Sequence, residues 1–345
     1  MTKAANARYL NDEMPMIASI RASALMPMVR ELDRRTGKVD LLLAGQGMFR
    51  SQLNDPYSIV PIGGYLAVFE QAADIVADPS LGARLGTVLK PADIGPMGML
   101  FAMAPTIRRA FERLSRFVSA LQGVTGSDVG ERAGLLVWSY GITDPALWPR
   151  RQDSEYTLAA TCHLVRQCFL ADWKPIEVHF EHPAPADPKP LQRIFRAPIR
   201  FGQSANRLIF DPVEADRVHH QEDAALAEML QRHIADLSRE LGGPGTWSER
   251  VWALLGLHLG TREVGMTSLA RELGMAPRTL QRRLAEEGVS LRELLRRYRI
   301  SKTASWERSH DRNRSRLAHA LGYADGTSLW RAQRNWTEKG RMEKG

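Results

Sequence analysis

The sequence predicts two domains of different fold classes. The first is an α+β domain, with helices on a small, mostly antiparallel sheet. The second is an all-α domain in which a linker helix joins two helix-turn-helix units. Three observations predict this division: strand patterns occur only before residue 241, the stretch LGGPG follows at 241–245, and the last hundred residues carry all the excess positive charge. Because consecutive glycines and a proline cannot continue a helix, we predict domains at 1–241 and 247–345, with a linker at 242–246.

The N-terminal domain alternates helix patterns with short strand patterns. Apolar residues at helical spacing predict helices at 64–77, 104–121 and 151–170. Short apolar runs bounded by turn residues predict strands at 133–140, 175–180 and 206–210. Strands this short, separated by turns and helices, are typical of helices packed on a small, mostly antiparallel sheet.

The helix before the boundary carries one apolar stripe. Its sequence, EDAALAEMLQRHIADLSREL, places leucine or isoleucine at helical spacing, at positions 226, 230, 234, 237 and 241. Two interpretations remain open, because the stripe can pack against its own domain or form the seam of a dimer.

Charge is distributed unevenly along the chain. Residues 246–345 contain 20 lysines and arginines against 11 acidic residues, whereas the other 245 residues contain 27 basic and 28 acidic ones. A basic domain beside a nearly neutral one indicates a polyanionic partner, with double-stranded DNA favoured over an anionic membrane. Since neither a signal peptide nor a long apolar run is recognisable, we expect a cytoplasmic protein without a membrane contact.

A first helix-turn-helix unit is predicted at about 264–288, around the sequence MTSLARELGMAPRTLQRRLAEEG. Thr267 is suited to cap the first helix, Gly274 to end it in a left-handed conformation, and Pro277 to begin the second helix. Two helices that cross steeply need a small residue at their closest approach, and Ala270 lies four positions before the glycine. A leucine six positions after the glycine completes the core that is typical of this motif.

The second helix of this unit has a basic outward face. With its two leucines buried, the helix is expected to direct four side chains to base edges in the major groove and a fifth, at the flank, to a phosphate. These are Arg278, Thr279, Gln281 and Arg282, with Arg283 at the flank. Arginine can bind guanine, and glutamine can bind adenine, through two hydrogen bonds. The alternative is a solvated basic surface without a DNA contact.

A second unit of the same kind is predicted at about 314–337. The sequence LAHALGYADGTSLWRAQRNW repeats the spacing of alanine and glycine, with a turn that is longer by about one residue. Ser328 and Arg331 are expected to contact bases in this unit, and Arg334 a phosphate.

A linker helix is predicted between the two units, from the sequence SLRELLRRYRISKTASW. Ser290 and Glu293 have the spacing of a capping box at its start. Arg296 and Arg297 are expected to bind phosphates or to form salt bridges on the surface. Two units on one rigid connector would reach major-groove faces about 10 bp apart.

These motifs resemble those of the AraC/XylS family of bacterial transcription regulators. SLARELGMAPRTLQRRLAEEGVSLRELLRRYR is similar to the family's first helix-turn-helix unit and linker helix, and LAHALGYADGTS is similar to the start of its second unit. The N-terminal domain resembles the "arabinose-binding" sensor domain of the branch that includes ornithine-utilisation regulators. This similarity lies in APTIRRA at 104–110, VHFEHPAPA at 178–186 and FRAPIRFG at 195–202.

The resemblance implies a ligand-responsive transcription factor, usually a homodimer, that binds a promoter and often contacts RNA polymerase. It does not identify arabinose as the ligand. The sequence departs from the family pattern at Ala276, which replaces a capping serine, and at Trp330 and Gln333, which replace a serine and a buried phenylalanine. We therefore expect stronger DNA contacts from the first unit than from the second.

A small-molecule effector is expected in an apolar pocket of the N-terminal domain. Trp138, Tyr140 and Phe180 are the candidate pocket residues, and each of them could instead be a core residue. Catalysis is not expected, because no nucleophile elbow, metalloprotease motif or phosphate loop is recognisable. No cofactor or metal is predicted. The alternative function is that of an architectural protein that binds DNA without sequence preference and without an effector.

Overall fold

The computed structural model describes residues 19–55, 58–118, 122, 125–144, 147–240, 246–260, 263–308 and 314–342. The α-helices before residue 241 are α1 Met26–Arg35, α2 Val39–Gly45, α3 Ile62–Ile75, α4 Leu81–Gly86, α5 Gly95–Ala102, α6 Ile107–Phe117, α7 Arg151–Cys168, α8 Lys189–Phe195, α9 Pro212–Ala215 and α10 Ala224–Glu240. The later helices are α11 Trp247–His258, α12 Met266–Glu272, α13 Pro277–Glu286, α14 Leu291–Arg308, α15 Arg314–Ala320 and α16 Gly326–Met342. The strands are β1 Ser19–Arg21, β2 Ile59–Pro61, β3 Thr125–Arg132, β4 Leu135–Ile142, β5 Glu177–His179, β6 Ile199–Arg200 and β7 Asn206–Phe210. Residues 241–245, which hold most of the predicted linker, lie outside the described residues.

The main sheet has the strand order β3-β4-β7-β5-β6. Its neighbouring strands are antiparallel, except for the parallel pair of β5 and β6. The prediction of an α+β domain with a mostly antiparallel sheet is therefore confirmed. The strand predicted at 133–140 begins at Leu135 instead, because Ala133 and Gly134 adopt φ values of 51° and 76° in the hairpin turn.

Strand β3 is absent from the sequence-based expectation. Its sequence, TGSDVGER, has no regular alternation of apolar and polar residues, so the usual strand pattern is missing. It nevertheless pairs with β4 along its whole length, from Thr125 opposite Ile142 to Arg132 opposite Leu135. Hydrogen bonds to an apolar neighbour thus stabilise a strand that its own sequence does not indicate.

Helices α4 and α7 approach each other closely because α4 contains two glycines. A Cβ atom added at Gly86 would lie 2.6 Å from the carbonyl oxygen of Tyr156, and one added at Gly82 would overlap the carbonyl oxygen of Gln152. The backbone N–H of Gly82 also donates to the side chain of Gln152 at 2.8 Å. Space, and not backbone conformation, requires glycine at these two positions.

Helix α10 packs against its own domain. Ala227 and Ile234 belong to the N-terminal core, and Leu230 packs against that core. Of the stripe predicted on this helix, Leu226 is the residue left 41% exposed, and Leu241 lies outside the described residues. The structure therefore agrees with the first of the two interpretations of the stripe.

The C-terminal region is helical, as predicted, and has two apolar clusters. The larger one joins α11, α12, α13 and α14 through Val251, Leu255, Leu259, Leu269, Ala270, Leu280, Leu284, Leu294 and Tyr298. The smaller one lies in α15, α16 and the turn between them and consists of Leu317, Ala318, Ala320, Leu321 and Leu329. None of the helices in the described part of the chain is long and apolar enough to cross a membrane.

Gly82→Ala is expected to lower the free energy of unfolding by about 1–3 kcal/mol, because its methyl group would collide with the backbone of α7. Gly45→Ala is the matched control, since a Cβ atom there meets no atom within 4 Å. Chemical denaturation followed by circular dichroism measures both variants. Equal stability of the two proteins would contradict the close helix contact.

Candidate nucleic-acid interface and ligand pocket

Helices α12 and α13 form the first helix-turn-helix unit. Gly265, and not Thr267, occupies the N-cap of α12. Its N–H donates to the hydroxyl of Ser268 at 2.9 Å, and that hydroxyl donates to the Gly265 carbonyl at 2.9 Å. The prediction for Thr267 is wrong because the helix begins before it, which leaves Thr267 exposed in the first turn.

The turn between α12 and α13 follows the predicted chemistry. Gly274 has a φ of 67°, in the left-handed region that favours glycine. The N–H of Met275 donates to the carbonyl of Ala270 at 2.9 Å, which closes the end of α12. Ala276 is the N-cap of α13 and provides no side-chain acceptor, and Pro277 occupies the first turn. Helix α13, the predicted recognition helix, therefore begins without the side-chain cap that a serine would supply.

Buried residues hold α13 from behind. Leu280 and Leu284 are at most 1% exposed, and they pack with Leu269 and Ala270 of α12. Because these contacts set the rotation of α13 about its axis, its opposite face points to solvent.

The solvent-facing side of α13 carries the predicted DNA contacts. Arg278, Gln281, Arg282 and Arg283 are exposed, and Thr279 is half-buried. Arg282 and Arg283 both lie near Glu286, at N–O distances of 3.6 Å and 3.4 Å. Ion pairs this long between exposed side chains contribute little stability, so both guanidinium groups can exchange Glu286 for a phosphate or a base.

Glu287, at the end of the recognition helix, ties α13 to α11. Its carboxylate accepts hydrogen bonds from the N–H groups of Trp247 at 2.6 Å and Ser248 at 2.8 Å. These are unpaired donors in the first turn of α11, which an acceptor from another element satisfies. The ring of Trp247 lies 4.4 Å from the Arg250 guanidinium carbon and 6.0 Å from that of Arg283.

Helices α15 and α16 form the second unit. Asp325 caps α16, because its carboxylate accepts from the N–H of Ser328 at 2.7 Å. Ser328 is half-buried, whereas Arg331 and Arg334 are exposed. The Arg334 guanidinium lies 5.1 Å from the centre of the exposed Trp330 ring. The outward face of this unit thus presents two arginines and an aromatic ring.

The start of the linker helix α14 has one of the two bonds of the predicted capping box, because Ser290 Oγ accepts from the N–H of Glu293 at 3.2 Å. Arg296 and Arg297 bind Glu293 at 2.9 Å and 2.7 Å, and these hydrogen bonds lower the pKa of Glu293 to about 2. The structure therefore shows the salt-bridged alternative for both arginines. The Arg297 side chain is 58% exposed and the Arg296 side chain only 25%, so Arg297 is better placed to reach a phosphate as well.

A cavity in the N-terminal domain lies between the sheet and helices α1, α3, α5, α6 and α7. Its empty volume is about 680 Å³, including the mouth, and Trp138 and Tyr140 of β4 form part of its wall. These two residues share a face of the strand because they are two positions apart. Phe180 is not one of the lining residues; it packs among Phe195, Phe201 and His182 instead. The structure thus joins two of the three pocket candidates at one cavity and places the third elsewhere in the core.

A buried polar cluster lies at one side of this cavity. The hydroxyls of Tyr65 and Tyr140 donate to the carboxylate of Asp153 at 3.1 Å and 2.9 Å. Burial raises the pKa of Asp153 to about 6, although the two tyrosine hydrogen bonds favour its charged form. The Tyr140 hydroxyl also lies 3.3 Å from Oε1 of Gln122.

A buried ion cluster joins the two domains. Arg150 binds Glu181 with two hydrogen bonds of 2.6 Å and 3.0 Å, and Nζ of Lys302 in α14 donates to the same carboxylate at 3.1 Å. All three side chains are at most 10% exposed. Burial alone would raise the pKa of Glu181, but the positive charges of Arg150 and Lys302 hold it well below its usual range.

Helix α11 forms a second contact between the domains. It packs against β3 and β4 of the sheet while its apolar residues belong to the C-terminal core. Gly256 is its point of closest approach, because a Cβ atom there would lie 3.1 Å from the Cα atom of Thr143, just after β4. The same helix therefore contacts the sheet of the N-terminal domain and supports α13.

The sequence contains only a weak signal for these interdomain residues. Glu181 is a charged residue inside the apolar stretch VHFEHP, which indicates a buried carboxylate but not its partners. Lys302 was not predicted, because it lies in a helix with many basic residues and nothing local distinguishes it from them. Asp153 and Gln122 were likewise not predicted as pocket residues.

Two matched domains define the class of the protein as an effector-responsive, DNA-binding transcription regulator. A family model described as the arabinose-binding domain of AraC transcription regulators matches residues 37–218, and a helix-turn-helix domain model matches residues 269–339. The first match alone covers more than half of the chain. The protein belongs to the AraC family of transcription regulators.

Individual relatives are also transcription regulators. The HTH-type transcriptional regulator VirS of Mycobacterium tuberculosis is 25% identical over 282 residues, which is 81% of this chain and 82% of VirS. An uncharacterized HTH-type transcriptional regulator of Mycobacterium bovis is 31% identical over 145 residues, 40% of each chain. The crystal structure of the transcriptional regulator CdpR from Pseudomonas aeruginosa matches 90% of this chain and 95% of its own at 21% identity, with a TM-score of 0.42.

Glu181→Gln is expected to lower the free energy of unfolding by about 3–5 kcal/mol, because two buried cations would lose their counter-charge. Lys302→Met should cost much less, since Glu181 keeps both hydrogen bonds to Arg150. Differential scanning calorimetry of the full chain measures the two variants side by side. A loss for Lys302→Met as large as that for Glu181→Gln would show that Arg150 is not the main partner of the carboxylate.

Proposed function

We propose that this regulator reads promoter DNA through α13, and that a small molecule bound in the N-terminal cavity changes its affinity for that DNA. One observation carries the proposal: α13 exposes arginine and glutamine side chains on one face, while buried leucines anchor the opposite face. Such a helix can enter the major groove without exposing apolar side chains.

The side chains of the first unit divide into two roles. Arg278, Thr279, Gln281 and Arg282 contact base edges, and the flanking Arg283 contacts a phosphate. Arginine and glutamine supply the paired donors and acceptors that distinguish bases in the major groove. The exposed positions of the three longest side chains in the first group support this division.

The remaining contacts come from the linker helix and the second unit. Arg297 exchanges Glu293 for a phosphate, and Arg296 has the smaller role because its side chain is less exposed. In the second unit, Arg331 and Ser328 contact bases and Arg334 a phosphate. The exposure of both arginines supports this assignment, and the hydrogen bond from Ser328 N–H to Asp325 holds the start of α16 in place.

The effector acts by shifting a population between two arrangements of the domains. Strand β4 lines the cavity with Trp138 and Tyr140, and it also contacts α11. A ligand that moves this strand changes the fit of α11 against the sheet and the geometry around Lys302. The ligand must bind one arrangement more tightly than the other for this to occur.

The family resemblance supports three further features. The protein forms a homodimer that occupies two half-sites, contacts RNA polymerase at the promoter, and acts in the cytoplasm, where promoter DNA is present.

A test of sequence-specific function compares the best DNA site with random DNA at one fixed salt concentration. Selection from a random DNA library identifies the site, and fluorescence anisotropy then measures both affinities. A regulator should prefer its site by about a thousandfold or more. A preference below about tenfold would support the architectural alternative and contradict the proposal.

Arg282→Ala and Arg297→Ala separate base contacts from phosphate contacts. Arg282→Ala is expected to lose about 1–3 kcal/mol of discrimination at one base pair of the site. Arg297→Ala should weaken binding to all sequences by a similar factor and reduce the dependence of affinity on salt. Binding to a panel of single-base variants of the site measures both effects.

Arg217→Ala is the control for these two variants, because it removes one exposed arginine from the N-terminal domain. It should leave the binding pattern unchanged. An equal loss on every sequence for Arg282→Ala would overturn its assignment as a base contact.

A further inference from the structure

The cavity of the N-terminal domain has a largely apolar wall. Leu114, Val118, Trp138 and Leu164 are among its lining residues, together with aromatic and small side chains from other elements. Small-molecule sites are typically lined by apolar and aromatic side chains with a few polar groups, and the wall of this cavity has that composition. The wall therefore favours a ligand with a mainly hydrocarbon surface.

The described residues around the cavity offer no positive charge to an anionic ligand. Of the described residues that line it, none is a lysine, an arginine or a histidine. The carboxyl groups near it are Asp93, in the wall, and Asp153, behind Tyr65 and Tyr140. A carboxylate or phosphate group would lose its hydration and gain no counter-charge here, so anions are disfavoured.

Several hydroxyl groups among the described lining residues are already hydrogen-bonded within the protein. The hydroxyl protons of Tyr65 and Tyr140 are bound to Asp153, and the hydroxyl of Thr161 donates to the Thr157 carbonyl at 2.8 Å. Each hydroxyl of a buried sugar needs a partner, because burial of an unpaired polar group is unfavourable. Polar groups remain in the wall at Ser23, Asp93, Gln122, Tyr156 and Thr157, so the mainly apolar wall favours a molecule with few hydroxyls.

Gln122 supplies a buried, unpaired polar group to the wall. This side chain is 4% exposed, and its Oε1 lies 3.3 Å from the Tyr140 hydroxyl. Its Nε2 has no hydrogen-bond partner among the described residues. A ligand oxygen that accepts a hydrogen bond from this buried amide would be bound more tightly, because the bond removes the cost of an unpaired buried donor.

We propose that the effector is an uncharged, largely apolar molecule whose single oxygen group, a carbonyl or a hydroxyl, binds Gln122. The inference rests on the proposed function, since it assigns a chemical class to the ligand of the same cavity. The matched domain is named after arabinose, but the ligand inferred for this chain is not a sugar.

Isothermal titration calorimetry of the full chain at pH 8 tests this inference with decan-2-one, decanoate and L-arabinose. The first two compounds have the same number of carbons and differ in the charge of the polar end. Decan-2-one is expected to bind at least about tenfold more tightly than decanoate, a difference of about 1.4 kcal/mol. L-Arabinose is expected to give no binding.

Three variants locate the binding. Gln122→Leu should weaken decan-2-one by about threefold to tenfold, because it removes one neutral hydrogen bond. Ala160→Leu and Ala24→Phe should abolish binding, since both residues line the cavity and the larger side chains would fill it. Ala24 is half-buried at the wall, so its variant tests the site even if Ala160→Leu fails to fold.

Each outcome decides one of the two proposals. Absence of decan-2-one binding, tighter binding of decanoate or L-arabinose, or decan-2-one binding that no cavity variant weakens would overturn the ligand class. Decanoate or L-arabinose binding that Ala24→Phe abolishes would leave the cavity as the effector site. The proposed effector function fails separately if decan-2-one binds in the cavity and the affinity for the selected DNA site does not change.

Discussion

A carboxylate buried between two domains is the interaction on which the arrangement of this protein depends. Glu181 cannot remain charged inside the protein without partners, because burial removes its hydration. Arg150 supplies two hydrogen bonds from the N-terminal domain, and Lys302 supplies one from the linker helix of the C-terminal domain. The position of the linker helix therefore depends on Glu181 of the sensor domain, because Lys302 must lie close enough to pair with this carboxylate.

Helix α11 extends this coupling to the recognition helix. Val251 and Leu255 place it in the same core as Leu280 and Leu284 of α13. Its start is bound by Glu287, at the end of α13, and Gly256 lies against Thr143 of the sensor domain. One helix thus contacts the sheet and supports the exposed basic face of α13. Contacts that continue in this way can couple two sites.

The cavity of the N-terminal domain lies beside β4, the strand that also contacts α11. Trp138 and Tyr140 form part of its wall, and their strand continues to Ile142, next to the residue that contacts α11. Tyr140 also binds Asp153, a carboxyl group whose burial raises its pKa to about 6. A ligand in this cavity therefore contacts the strand that connects the sensor domain to α11.

The sequence by itself determined the features that depend on near neighbours in the chain. The spacing of Ala270, Gly274 and the following leucines predicts the first helix-turn-helix unit and its outward arginines, because local helix geometry and turn chemistry decide which side chains are buried. Strand β3 was not predicted, since its pairing with β4 and not its own pattern makes it a strand. Only the tertiary structure separated Phe180 from the cavity and brought Glu181 to Lys302, 121 positions later. No local pattern specifies such a pair, because the free energy that joins two buried charges appears only when the domains exclude water around them.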